Sequence, residues 1–484
     1  MNPDRKHLFF LGIGGIGMSA LARWFHAHGA AVAGFDRTPS ALTAALEAEG
    51  MAVDTTGRID ALPDLLQDDL AAGRTDRWTI VRTPAVPDHF PLFALFRGAG
   101  FDVLKRAELL GQITRNTPLL AVAGTHGKTT TSALLAHLLC EGGLPVEAFL
   151  GGVARGFGTN LLLARQGQDN PWVVAEADEF DRSFLTLHPQ HAILTSADAD
   201  HLDIYGDASA LARSFADFLS QVAPGGALLH SDAAGTLTST LGPVALPDHQ
   251  LYGEVSEEVL PDSWAGGHGA VHRQQDGLAA FTLHLQGQPP QDIAWSMPGQ
   301  HNAANATAAA ILAVRAGLDP AQIPQLLGAF PGIARRFEIR HDTPQLTVID
   351  DYAHHPTEIE GTVAAARTAY PEKKLVGVFQ PHLFSRTRDF LDEFGRSLSA
   401  LDHCIVLPIY AARESALRGV DAQAVGDKVV GCPVDCPSES QFLEVLQQTG
   451  PEVLLFMGAG DLHQWIPAAI DKVLQSPDVQ QTTP

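Results

Sequence analysis

The stretch Pro118-Leu-Leu-Ala-Val-Ala-Gly-Thr-His-Gly-Lys-Thr-Thr-Thr131 passes from five consecutive apolar residues into glycine, lysine and hydroxyl side chains. It reads as a strand handed over to a helix through Gly124 and Gly127. Glycines at such a junction let backbone N–H groups converge on phosphate oxygens, where the helix dipole also favours negative charge. Lys128 then reaches the outer phosphates of a nucleoside triphosphate, and Thr129 its magnesium ion. The standard loop carries a glycine six residues before the lysine, and Val122 stands there, so the cradle is a variant. A plain tight connection is the structural alternative, but a Gly-Lys-Thr-Thr run at a helix mouth serves phosphate chemistry residue by residue.

The chain opens with a second glycine turn, His7-Leu-Phe-Phe-Leu-Gly-Ile-Gly-Gly-Ile-Gly-Met-Ser-Ala-Leu-Ala22. Gly12, Gly14 and Gly17 fill a G-x-G-x-x-G pattern, and Asp36 closes the next apolar run, where a carboxylate can grip a ribose hydroxyl. A ligand with a diphosphate and a sugar is expected there, and a dinucleotide such as NAD is the usual tenant. Thr83, Pro84 and Ala85 follow a short strand at 78–81 and offer a second loop at the same edge, or an ordinary connection.

Further strands are expected at 146–150, 172–175 and 191–195. Strands alternating with helical patterns predict a mostly parallel sheet with its functional residues just past the strand ends. Glu176 and His201 fall there, and with Thr129 they make a magnesium site in which the carboxylate is the natural hard ligand. A solvated strand-end acid and a loop histidine bonded to backbone are the alternatives. The region 225–297 reads as an antiparallel excursion without chemistry. Asn302 and Asn305, one helical turn apart at a helix start, suit adenine recognition, with N-capping by Asn302 as the alternative. A third βα rhythm follows, with strands at 346–349, 375–379, 404–407 and 453–457, and its strand ends carry Asp351-Tyr-Ala-His354 and His382-Leu-Phe-Ser-Arg386. Arginine beside imidazoles and acids suits a carboxylate-bearing substrate. Arg335 and Arg336 offer cations to phosphates, or a solvated linker.

At 484 residues the chain exceeds one hydrophobic core, and we divide it into three α/β units at 1–115, 116–333 and 334–484. Each is an open, mostly parallel sheet: Rossmann-like at both ends, with a phosphate-loop ATPase unit between them. A net charge of −23 repels phosphate backbones and anionic membranes, so neither nucleic acid nor membrane insertion is expected. The four cysteines are too few and scattered for a disulfide framework. The apolar stretch at 8–25 is broken by Gly12, Gly14, Gly15 and Gly17 and carries Arg23, so it is neither signal peptide nor anchor, and a cytoplasmic protein is expected.

Taken in order, Gly124-Thr-His-Gly-Lys-Thr-Thr130, Glu176-Ala-Asp-Glu179, Asp200-His-Leu-Asp203, Gly299-Gln-His-Asn-Ala-Ala-Asn305, Arg335-Arg-Phe-Glu338 and Asp351-Tyr-Ala-His354 resemble the Mur ligase family of ATP-dependent amide-bond-forming enzymes. The resemblance runs through essentially the whole chain. It implies ATP and Mg2+ in the middle unit, with Gly124, Thr125, His126, Gly127, Lys128, Thr129, Thr130, Asn302, Asn305, Arg336 and Asp351 on the nucleotide. It implies UDP-N-acetylmuramate on Gly12, Gly14, Gly15, Gly17, Asp36, Thr83, Pro84 and Ala85. The opening Leu11-Gly-Ile-Gly-Gly-Ile-Gly-Met-Ser19 is most similar to the member that adds L-alanine; the member that recycles murein tripeptide is the near alternative. The amino acid is then expected on Tyr352, His382 and Arg386, with Lys128, Glu176, His201, His354 and His382 as catalytic residues. Two departures stand out. Between Lys128 and Lys373 there is no lysine to form the carbamate that supports magnesium in several relatives, and Ala197-Asp-Ala199 replaces the usual Asn-Ile before the Asp-His motif. An NAD-dependent oxidoreductase and a non-hydrolysing nucleotide sensor are the rivals; the first leaves the Gly124–Thr130 cradle without a role. The oligomeric expectation is monomer or homodimer.

Overall fold

The computed structural model describes residues 7–475 except 84, 116, 201, 243–245, 256–259, 275–277 and 413. Pro84 and His201 therefore lie outside the described residues, so their proposed roles have no structural counterpart.

The first sheet comprises β1 (His7–Leu11), β2 (Ala31–Phe35), β3 (Ala52–Asp54), β4 (Trp78–Arg82) and β5 (Asp102–Lys105), all parallel in the order β3-β2-β1-β4-β5. The chain reverses its direction of winding at β1, so the glycine turn after it opens at the switch point where such sheets bind ligands. Gly34 on β2 is required for that turn, because a Cβ there would stand 2.6 Å from the Phe10 carbonyl oxygen and 2.8 Å from the Ile13 side chain.

The second sheet has seven strands: β6 (Leu119–Ala123), β7 (Val146–Ala154), β8 (Thr159–Leu162), β9 (Trp172–Glu176), β10 (His191–Leu194), β11 (Ala227–His230) and β12 (His249–Tyr252). Their order is β12-β11-β10-β6-β9-β7-β8, parallel except for the β7/β8 pair. Strand β6 is buried on both faces. Leu120 and Val122 enter one apolar cluster, whereas Leu119, Ala121 and Ala123 enter the other, as the two-residue period of a strand requires. The helix Lys128–Glu141 that follows is buried from Thr129 to Cys140, enclosed by the sheet and by the helix Gln300–Arg315.

The antiparallel excursion begins later than the sequence suggests. Residues Ala227–His230 and His249–Tyr252 extend the parallel sheet, joined by the helix Ser231–Leu241. Among the described residues of that stretch, β13 (Gly266–His268), β14 (His272–Arg273), β15 (Ala279–Leu285) and β16 (Gln291–Trp295) form an antiparallel sheet. Four-residue strands bounded by glycine and proline carry too short a period to declare their direction of pairing.

The last sheet contains β17 (Glu338–Asp342), β18 (Thr347–Asp351), β19 (Leu375–Phe379), β20 (His403–Val406), β21 (Val434–Asp435) and β22 (Val453–Met457). It runs in the order β17-β18-β22-β19-β20-β21, parallel apart from edge strand β17. Among the described residues no helix is long and apolar enough to cross a membrane.

Leu138 is fully buried in the cluster shared by the helices Lys128–Glu141 and Gln300–Arg315. Leu138→Ala is expected to lower stability by about 2–5 kcal/mol, read as a lower urea midpoint at unchanged slope.

Candidate active site

Strand β6 ends at Ala123, and the chain turns through Gly124 at φ 132° and Gly127 at φ 82° into the helix that starts at Lys128. Neither glycine has room for a side chain. A Cβ on Gly124 would overlap the Thr195 hydroxyl, and one on Gly127 would stand 2.6 Å from Asn305 Oδ1. No side chain caps the helix N-terminus. The loop is held from below, since His126 N–H donates to Ser196 Oγ at 2.7 Å and Thr125 Oγ1 to the Asp198 carbonyl at 2.8 Å.

The Lys128 ammonium donates to the carbonyls of Gly124 and Thr125 at 2.6 and 3.2 Å, and to both oxygens of Glu179 at 2.9 and 2.8 Å. Burial alone depresses its pKa, but Glu179, Asp178 and Glu176 together raise it, so the lysine remains charged. Burial pushes the Glu179 carboxyl up to about 7 against the pull of Lys128. Asp178 is half-buried and lowered, because Arg106 from the first unit pairs with it at 3.0 Å and Lys128 adds its field against the effect of burial. Thr129 Oγ1 donates to Glu176 Oε2 at 2.8 Å, bringing together two hard oxygen donors beside the anion cradle. That donor set fits Mg2+, which takes one or two carboxylates and completes its shell with water and phosphate.

A cavity of about 590 Å³ opens beyond the loop, between the middle and last units. Its walls include His126, Gly127, Thr130, Asn302, Asn305, Arg336 and Asp351. Asn302 is not the N-cap, a position held by Gly299, and its amide donates to the Pro298 carbonyl at 2.7 Å. Asp351 is pushed up to about 6 by burial, while accepting the backbone N–H groups of Phe337 and Ala353, each at 2.8 Å. Arg336 lies over the Tyr352 ring, 5.2 Å from its centre. The far wall is made of His230, Asp232, Tyr252, Glu254 and His268, from the stretch read as free of chemistry.

In the first unit, Gly12 faces Thr83 with room for no Cβ, and Gly14 N–H donates to Asp36 Oδ2 at 2.8 Å, so the carboxylate closes one side of the turn. Gly17 faces Arg106, and both line a smaller cavity of about 120 Å³ that reaches Glu176 and Asp178. The first glycine turn thus shares a cavity with the acidic end of β9 across the first seam. Gly15 is the N-cap of the helix Ile16–Ala27, and Ala85 follows in the turn after Thr83.

In the last unit, His354 and His382 stand with ring centres 6.1 Å apart, and His382 stacks on Tyr410 at 5.8 Å. His354 Nδ1 is 3.0 Å from the Tyr352 carbonyl, an acceptor only, so this nitrogen carries the proton. Arg386 Nη2 donates to both oxygens of Asp200 at 2.9 and 3.0 Å across the second seam, with both side chains largely buried. Sequence reading missed Glu179, Asp198, Asp200 and Glu358 as partners of the residues it singled out.

His126 lies between Asp198 (3.3 Å from Nε2) and Glu358 (3.4 Å from Nδ1). Burial alone would lower its pKa, but the two carboxylates raise it to about 9. A base raised in the folded state contributes stability that is complete below its unfolded value near 6.5 and lost as pH rises through about 9. The stability difference between wild type and His126→Asn is therefore expected to shrink from pH 6.5 to 9; a difference constant over that range in thermal unfolding contradicts the charged assignment.

Comparison with known proteins places this geometry. Residues 7–117 match the model described as Mur ligase family, catalytic domain, 122–313 the Mur ligase middle domain, and 335–460 the Mur ligase, glutamate ligase domain. The chain is 39% identical over 475 residues to the UDP-N-acetylmuramate--L-alanine ligase of Cytophaga hutchinsonii, covering 96% of this chain and 97% of that one. It is 41% identical over 459 residues to the protein of that name from Christiangramia forsetii, covering 95% and 96%. Among solved structures, the UDP-N-acetylmuramate-alanine ligase of Thermotoga maritima superposes with a TM-score of 0.76 at 26% identity, covering 97% of this chain and 99% of that one. With matched models over most of its length and such relatives from end to end, the chain belongs to the Mur ligase family.

Proposed function

We propose that the chain is an ATP-dependent ligase that joins L-alanine to the lactyl carboxylate of UDP-N-acetylmuramate, a step of peptidoglycan precursor synthesis in the cytoplasm. The observation that carries the reading is the junction of Lys128, Thr129 and Glu176 at the adjacent ends of β6 and β9, between a cavity reaching the first glycine loop and a larger one reaching the last unit. The L-alanine specificity follows the relatives' name and the opening glycine motif. In this reading residues 1–115 hold the UDP-sugar, 116–333 hold ATP, and 334–484 present the amino acid.

The lactyl carboxylate attacks the γ-phosphorus of ATP, ADP leaves, and an acyl phosphate forms. Lys128 and the amides of the Gly124–Thr130 loop offset the charge that builds on the phosphoryl oxygens. Thr129 and Glu176 would hold Mg2+, with His201 the further ligand that the family resemblance implies, and the ion would neutralise phosphate charge. The amine of L-alanine then adds to the acyl carbon, and phosphate leaves from the tetrahedral intermediate. No covalent link to the protein is needed, so catalysis rests on positioning and electrostatics. Arg386 receives the alanine carboxylate, with Tyr352 and His382 beside it. The incoming ammonium must lose a proton. His354 carries its own proton on Nδ1 and thus presents Nε2 as base, with His382 the second candidate.

Two measurements test the reading. Phosphate release with ATP, magnesium and UDP-N-acetylmuramate is expected to require L-alanine; release driven only by L-alanyl-γ-D-glutamyl-diaminopimelate would assign the recycling reaction instead. Lys128→Ala and Glu176→Ala are each expected to lower kcat by roughly 100-fold or more while UDP-N-acetylmuramate binding, followed by calorimetry, is retained.

A further inference from the structure

We infer that Glu358, in the first turn of the helix Pro356–Ala369, is a positioning residue that fixes the phosphate loop against the last unit and so sets nucleotide affinity. The inference rests on the reading of the middle unit as an ATP site. Glu358 borders the larger cavity, and its role is carried through His126 and Arg336.

The two oxygens of this carboxylate face different units. Oε2 serves its own element: it accepts the backbone N–H groups of His354 and His355 at 3.0 and 3.2 Å and lies 3.2 Å from His354 Nδ1. These contacts include the reciprocal half of a capping box, since the His355 side chain caps the same helix. Oε1 faces away, 3.4 Å from His126 Nδ1 in the phosphate loop and 3.8 Å from Arg336 Nη1 at the cavity wall. The Glu358 charge acts in turn on His301 and Asp351 of neighbouring elements, although burial holds His301 down at about 4 and so uncharged near neutral pH. The carboxylate is largely buried at the cavity edge yet held well below the usual range, burial being overcome by His354 and His126.

A helix cap alone needs only Oε2. The other oxygen gives the last unit a grip on the residue two positions before Lys128, and Asp198 grips the opposite nitrogen of the same ring from the middle unit. His126 is thereby fixed from both sides, and the amides of Gly127 and Lys128 inherit its placement. The same oxygen steadies Arg336, so loss of its charge loosens the nucleotide's cradle and its arginine together.

Substitution separates the two roles, because glutamine serves a capping box as glutamate does. Glu358→Gln is expected to stay cooperatively folded, with a melting temperature lowered only by the lost charged contact to His126, while weakening binding of the β,γ-imido analogue of ATP, with magnesium, by about tenfold or more in calorimetry. KM for ATP rises in parallel, and KM for L-alanine does not. In a double-mutant cycle with His126→Asn, the second substitution adds little to the first, a coupling that a helix cap alone would not produce. Wild-type affinity for the analogue in Glu358→Gln, or full additivity in the cycle, overturns the inference and leaves the ligase reading standing. No analogue binding by the wild type overturns both.

Discussion

A cation placed where phosphates are to be received must be neutralised by the protein itself, and the buried Lys128 ammonium imposes that constraint on everything around it. Removing an ammonium from water without a partner costs several kcal/mol. The fold answers with two loop carbonyls and the bidentate carboxylate of Glu179, itself enclosed and steadied by the Tyr205 hydroxyl donating to its carbonyl at 2.6 Å. Glu179 and Asp178 concentrate negative charge at the end of β9, and Arg106 from the first unit balances it. Charge alternates from the phosphate loop to the mouth of the other glycine turn. The lysine thus explains an arginine in a different unit, on the wall where the smaller cavity opens.

The two seams between units are built differently. One apolar cluster runs from Leu8 and Phe10 through Phe149 and Phe184 to Phe218, joining the first and middle units in a single core. Polar ties reinforce it, with Trp24 Nε1 donating to Glu147 at 2.7 Å and Arg23 to Asn160 at 2.6 Å. The clusters of the last unit, by contrast, contain only residues from Phe337 onward. Its contacts with the middle unit include the charged pairs Arg386 with Asp200 and Glu358 with His126, flanking the larger cavity, together with the His126–His355 ring contact and Arg273 over the Tyr370 ring. Arg386 and Asp200 are each only 9% exposed, so parting them strands two buried charges at a cost of several kcal/mol, and the second seam is held by specific pairs where the first is held by a shared core.

Those pairs mark the limit of what sequence displays. Runs such as 31–35, 279–285, 375–379 and 453–457 are apolar and end in polar or glycine residues, and they became strands at those bounds. Local chemistry also fixed the phosphate loop, since strand end, glycines, lysine and threonine are contiguous. Glu179 and Asp200 showed only as members of the motifs Glu176-Ala-Asp-Glu179 and Asp200-His-Leu-Asp203, with no sign of their partners, and Glu358 gave no signal. They lie 51 residues from Lys128, 186 from Arg386 and 232 from His126, and no period or spacing reports a partner at that range. The far cavity wall stayed hidden for another reason: strands of three or four residues near His230, Tyr252 and His268 are too short to announce which edge they join.

The same contrast bears on the alanine-rich helix Gln300–Arg315. Alanine has high helix propensity, and propensity alone would account for Ala303, Ala304, Ala306 and Ala308 to Ala310. These residues are buried in the cluster that receives the helix Lys128–Glu141, so their small size also sets how near the two axes come. That approach brings Asn305 to Gly127, where a Cβ would stand 2.6 Å from its amide oxygen. Gly127 is thus constrained twice, by its left-handed φ of 82° and by the side chain across from it. A larger residue in place of the buried alanines would part the helices and move Asn305 off the loop, even with helix propensity preserved. The alanines of one helix are therefore a steric condition on the phosphate loop of the other.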